Sequence, residues 1–112
     1  MNAPIHLVVT TINYPAFLND VLSNSLRHGR AAECKVWIVG DLKTPAQTSE
    51  LASSLSRHGL ETVYLDVAAQ DRIGHAIPEF YKRLPLNNEC RRNIGYWKAL
   101  SDGCQILLSM DR

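Results

Sequence analysis

The sequence predicts an α/β protein: an open, mostly parallel sheet of about four strands flanked by helices. Two observations carry that prediction. Short β-branched and apolar runs recur at residues 5–11, 35–41, 61–67 and 104–110. Between the first three lie stretches whose apolar residues return every three or four positions, and another such stretch precedes the last. Strands that alternate with amphipathic helices pair in parallel through right-handed crossovers.

Taken in order, Ile5-His6-Leu7-Val8-Val9-Thr10-Thr11 is the first strand. Asn13-Tyr14-Pro15 is a turn, with Asn13 able to cap a helix and Pro15 suited to its first turn. Phe17, Leu18, Val21, Leu22, Ser25 and Leu26 follow at helical spacing until Gly29 stops them. After a polar link over residues 30–34, Lys35-Val36-Trp37-Ile38-Val39-Gly40-Asp41 is a second buried strand. Thr44-Pro45-Ala46-Gln47 reads as a capping box, opening a helix that turns Leu51, Ala52 and Leu55 inward and ends near His58-Gly59. Residues 61–67 form a third strand. Residues 68–86, broken by Gly74, Pro78 and Pro85, read as irregular apart from a short helix around Glu79 to Arg83.

The last quarter is the most strongly patterned. Asn88 suits a helix N-cap and Gly103 a left-handed C-cap. Cys90, Ile94, Trp97 and Ser101 fall on one side of that helix, with Ala99 and Leu100 widening the stripe. Cys104 to Met110 is apolar enough to predict a strand covered on both faces, closed by Asp111.

Composition bounds the function. With 112 residues, 46% hydrophobic and 21% charged, the chain is expected to form one globular domain over residues 1–112. A net charge of +1 offers no general attraction to nucleic acid. No apolar run approaches the roughly 18 residues of a transmembrane helix, and no signal peptide is evident. Cys34, Cys90 and Cys104 form no CxxC pair, so reduced thiols and a cytoplasmic location are expected. His6, His28, His58 and His75 lack metal-ligand spacing and read as structural, and Trp37 and Trp97 as core.

In an open α/β sheet, ligands bind beyond the carboxyl ends of the strands. Thr10 and Thr11, Asp41 and Asp111 end three strands there, and Arg91-Arg92-Asn93 opens the last helix, where an anion is favoured. Together they make a candidate nucleotide pocket. Each has a plainer role: local turn hydrogen bonds for Thr10, Thr11 and Asp41, and a solvated basic face for Arg91 and Arg92.

An Arg-Asn-x-Gly helix (Arg92-Asn93-Ile94-Gly95), then Gly103, then an apolar strand ending in Asp111 resembles the nucleotide-sugar glycosyltransferases of the GT-A fold, family-2-like above all. The resemblance implies the Rossmann-like, nucleotide-binding half of that fold, with strand order 3-2-1-4. It implies nucleoside contacts at Thr10 and Thr11, with Ile12 beside them, and a base contact at Asp41. Base or phosphate contacts fall to Arg92 and Asn93, and ribose or metal to Asp111. Gly40-Asp41-Leu42-Lys43-Thr44-Pro45 is similar to a segment of plant-type reversibly glycosylated and related proteins, implying a phosphate contact at Lys43. The family's Asp-x-Asp motif binds Mn²⁺ or Mg²⁺; here Asp111 is followed by Arg112, the last residue. The implied activity is that of the donor portion of a longer enzyme, transferring a sugar from a nucleoside diphosphate sugar, UDP-sugar favoured, to an acceptor hydroxyl. The alternatives are a non-catalytic nucleotide-binding module and an α/β interaction module. Exposed apolar sheet surface would make a homodimer unsurprising.

Overall fold

The computed structural model describes residues 3–11, 13–81 and 91–111; the side chains of Phe80, Tyr81, Arg92 and Asp111 lie outside that description. Four strands, β1 (Ile5–Thr10), β2 (Cys34–Val39), β3 (Glu61–Leu65) and β4 (Ile106–Asp111), form one all-parallel sheet in the order β3-β2-β1-β4. This is the Rossmann-like α/β arrangement and the strand order expected above. The helices are α1 (Leu18–Arg27), α2 (Thr48–Arg57), α3 (Val67–Gly74), α4 (Pro78–Tyr81) and α5 (Arg92–Ser101), with a 3-10 turn at Ala31–Glu33.

Side chains alternate across a strand, so each strand feeds two cores. Leu7, Val9, Val36 and Ile38 pack with Leu18 of α1 and Leu51, Ala52 and Leu55 of α2. Val8, Trp37, Val39 and Leu65 pack on the other face with Ile94 and Ala99 of α5, and Ala69 and Ile73 of α3 join them. His6 belongs to the structure, as expected. The Trp37 indole N–H, which can only donate, reaches His6 Nδ1 at 3.0 Å. That leaves Nε2 to donate to the Ala3 carbonyl at 3.0 Å. Gly29, Gly59 and Gly103 follow their helices in the left-handed region, at φ 68°, 107° and 80°.

Several expectations need correction. The N-caps are misplaced: α1 and α2 start after Phe17 and Gln47, and neither of those residues makes a side-chain capping bond. Asn13 and Thr44, expected to cap, instead hydrogen-bond at the strand ends. The third strand stops at Leu65, because Asp66 caps a helix the sequence pattern missed: its Oδ1 accepts the Ala69 N–H at 2.7 Å. The short helix expected around Glu79 is α4, and the rest of that expectation, with Asn88 and Cys90, lies outside the described residues.

The buried stripe of α5 is also rotated from the one expected. Ile94 and Ala99 are buried, Trp97 is half-buried, Ser101 is exposed and Leu100 is 64% exposed. Gly95 sets the phase. A Cβ there would lie 2.6 Å from Val8 Cγ1 and 2.8 Å from Val39 Cγ2, so only glycine lets the helix sit this close to the sheet. Finally, β4 is not covered on both faces: Ile106 and Leu108 are each 51% exposed.

Candidate functional site

All four strands are parallel, so their carboxyl ends lie along one edge of the sheet. The chain leaves β1 toward β2 and β3 on one side and returns through α5 to β4 on the other. The switch point, where ligands favour the crevice, is therefore between β1 and β4. Thr10 stands at its centre, in register with Val39 of β2 and with Asp111 of β4. Its Oγ1 is buried and has no hydrogen-bond partner among the described residues. Such a hydroxyl is costly to leave unmatched. By alternation it shares the face of Val8, on which α5 packs.

Thr11 is differently employed. Its hydroxyl donates to the Asn13 carbonyl at 2.8 Å and accepts the Asn13 N–H at 2.9 Å, a local turn that uses both capacities. Asp41 is 8% exposed, and its Oδ1 accepts the Leu42 N–H at 2.8 Å. Thr44 ties the two strand exits together. Its hydroxyl accepts the Asp41 N–H at 2.8 Å and donates to the Thr11 carbonyl at 2.7 Å. Beside this loop a cleft of about 380 Å³ is lined by Asp41, Thr44, Ser49, Tyr64 and Asp66 among others. Gly40 makes room for the wall of that cleft, since a Cβ there would meet the Tyr64 ring at 2.7 Å. Burial, reinforced by the Asp66 carboxylate, pushes the Tyr64 phenol above its ordinary pKa, so it remains a neutral hydroxyl. Two carboxylates, a phenol and no cationic side chain in that lining suit hydrogen-bond donors better than phosphate.

The basic pair divides. Arg91, expected on a solvated face, is 2% exposed. Its Nε and a terminal nitrogen donate to Gln70 Oε1 at 2.9 and 2.6 Å. Gln70, itself fully buried, donates from Nε2 to the carbonyls of Gly40 at 2.7 Å and Leu65 at 2.8 Å. One amide thus joins the exits of β2 and β3 to the start of α5. Sequence reasoning missed this pair. Helical spacing places Arg91 on the side of Ile94 and Gly95, which was the available signal for Arg91; Gln70 sits in a stretch read as irregular and gave none. Arg92 is the first residue of α5, Asn93 is half-buried and Lys43 is exposed on the β2 exit loop.

No protein-family model matches this chain, and no curated protein matches it. Among the described residues, no three or more His, Cys, Asp or Glu side chains group to hold a metal ion, and no helix is long and apolar enough to cross a membrane.

Proposed function

We propose that this chain is the donor-binding portion of a GT-A-type glycosyltransferase, taking a nucleoside diphosphate sugar, with UDP-sugar favoured. The observation that carries the proposal is the pairing of Thr10 and Asp111 at the β1–β4 switch point, with an unmatched buried hydroxyl on Thr10 and the start of α5 at the same end of the sheet. Asp41 and the acidic cleft beside it offer acceptors to base or ribose donors. Lys43 and Arg92 would supply charge for the diphosphate, with Asn93 following Arg92 in α5, and Asp111 would serve ribose or metal. In the complete enzyme an acceptor hydroxyl attacks the anomeric carbon of the sugar and the diphosphate leaves. A divalent cation, Mn²⁺ or Mg²⁺, bound with the donor would neutralise charge developing on that leaving group. The free thiols of Cys34 and Cys104 suit a reducing compartment and are the basis for a cytoplasmic location.

A second reading, an α/β interaction module or a non-catalytic nucleotide-binding one, is favoured by the local bonds that engage Thr11 and Asp41. Calorimetric titration with UDP, GDP, CDP and ADP, with and without manganese, separates the two. The proposal expects selective binding of one diphosphate, weakened at least tenfold by Thr10→Val and by Arg92→Ala, which is about 1.4 kcal/mol or more. Absence of binding by the folded chain across that panel sinks it.

A further inference from the structure

We propose that Gln70 and Arg91 are positioning residues of the donor site, a role that rests on the donor-binding reading above. Together they fix the β2 exit relative to the start of α5, so that one ligand can be held at both places. Gln70 of α3 is fully buried, and Arg91, at the start of α5, is 2% exposed. Gln70 Oε1 accepts from Arg91 Nε at 2.9 Å and from a terminal nitrogen at 2.6 Å. Its Nε2 donates to the Gly40 carbonyl at 2.7 Å and to the Leu65 carbonyl at 2.8 Å. A guanidinium only donates and a carbonyl only accepts, whereas a side-chain amide has two hydrogens and two lone pairs to offer. All of that capacity is used here. Turning the amide over would set its hydrogens against the guanidinium, so its partners fix its orientation. The Gly40 N–H closes the knot, donating to the same Leu65 carbonyl at 2.9 Å.

Each end of this tie lies one residue from a proposed donor contact. Gly40 precedes Asp41, and Arg91 precedes Arg92, the first residue of α5. The same two elements also meet through apolar packing, with Val39 of β2 against Ile94 of α5 in one cluster. Apolar burial is non-directional and sets no orientation of its own. A saturated amide does. An apolar pair could fill the same space without burying a charge, which is costly even when hydrogen-bonded. What the Gln70–Arg91 pair supplies in return is geometry. A ligand gripped at two points gains from their linkage only while those points match its own length. A nucleoside diphosphate is such a ligand, with its base at Asp41 and its diphosphate at the start of α5. Leucine at position 70 would serve neither side of the tie. Glutamate would serve Arg91 but would set an oxygen against the carbonyls of Gly40 and Leu65.

Chemical-shift titrations of the 112-residue chain with UDP, uridine and inorganic pyrophosphate test this. UDP spans both points, and each of the others occupies one. The first variant combines Gln70→Leu with Arg91→Met, an apolar pair that removes the buried charge together with its acceptor. UDP binding is expected to weaken at least about tenfold, with uridine and pyrophosphate close to their wild-type affinities. Gln70→Glu, which keeps an acceptor for Arg91 and withdraws the donors from both carbonyls, is expected to show the same selective loss. Far-UV circular dichroism establishes that both variants are folded. A loss shared equally by all three ligands marks a purely structural tie and overturns the positioning role. So does UDP binding unchanged in either variant, or wild-type binding of UDP no tighter than that of uridine. Each of these leaves the donor reading standing, whereas a wild-type chain that binds none of the three overturns that reading and the positioning role with it.

Discussion

β2 and β4 are both short apolar runs that end at or just before an aspartate, and the fold treats them oppositely. β2 has a strand on each side, with Val36 and Ile38 beneath α1 and α2 and Trp37 and Val39 beneath α5. β4 has β1 on one side, and Ile106 and Leu108 stay half in solvent. Nothing in the six residues of either strand encodes that difference. It comes from the order β3-β2-β1-β4, which makes β2 internal and β4 an edge. An apolar run specifies a strand; its place in the sheet specifies how much of it is buried.

The sharpest way to break this comparison is to truncate each strand at its middle. Ile38 is fully buried, so Ile38→Ala is expected to cost about 2–5 kcal/mol in transfer and cavity terms. Leu108→Ala, measured by urea denaturation, is expected to cost no more than about 1 kcal/mol. Equal losses would mean that β4 is as well covered as β2.

A smaller effect compares hydrogen bonds at the two places. Gln70→Leu takes from the buried Arg91 guanidinium its amide acceptor, and from the carbonyls of Gly40 and Leu65 a side-chain donor. A loss of about 2–4 kcal/mol is expected. Adding Arg91→Met should recover part of it, since the charge goes with its acceptor; strict additivity in that double-mutant cycle would deny the coupling. Ser109→Ala removes the acceptor of the exposed Tyr96 bond on β4, with an expected change of less than about 0.5 kcal/mol.

The same comparison explains what could be read from the sequence. The four strands, the inward Leu51, Ala52 and Leu55, and the helix stops at Gly29, Gly59 and Gly103 were all legible, because each is set by neighbours a few residues away. The caps failed where a longer-range partner won: the Thr44 hydroxyl serves the Thr11 carbonyl rather than a helix start. α3 was hidden because Val67 continued the apolar run of β3, while the deciding bond from Ala69 to Asp66 is a capping interaction. At the site, the positions of Thr10, Asp41 and Asp111 at strand ends were legible. The division of labour within Arg91-Arg92 was not, since it depends on Gln70, 21 residues away.

A further small effect lies at the amino end of β2, in a charge cluster around Lys35. Lys35 donates to Asp102 at 2.9 Å, lies 3.3 Å from Glu61 and sits 4.3 Å above the Trp37 ring. The hydrogen bond from Lys35 holds the Asp102 carboxyl below its ordinary pKa, against the opposing effect of burial. A depressed carboxylate contributes stability that is full above its unfolded pKa and is lost as pH falls through the folded value. Burial alone would lower the Lys35 pKa, but the bond and charge of Asp102, with Glu61, outweigh it and raise it. That contribution is present below the ordinary lysine pKa and disappears as pH rises through the folded value. The bridge therefore acts across the neutral range and fails at both ends. Being partly exposed, it is expected to add about 1 kcal/mol or less. Urea unfolding of wild type and Asp102→Asn as a function of pH should show a constant gap near neutrality that closes in acid and again in strong base. A gap that persists in acid would assign the loss to the packing of Asp102 rather than to its charge.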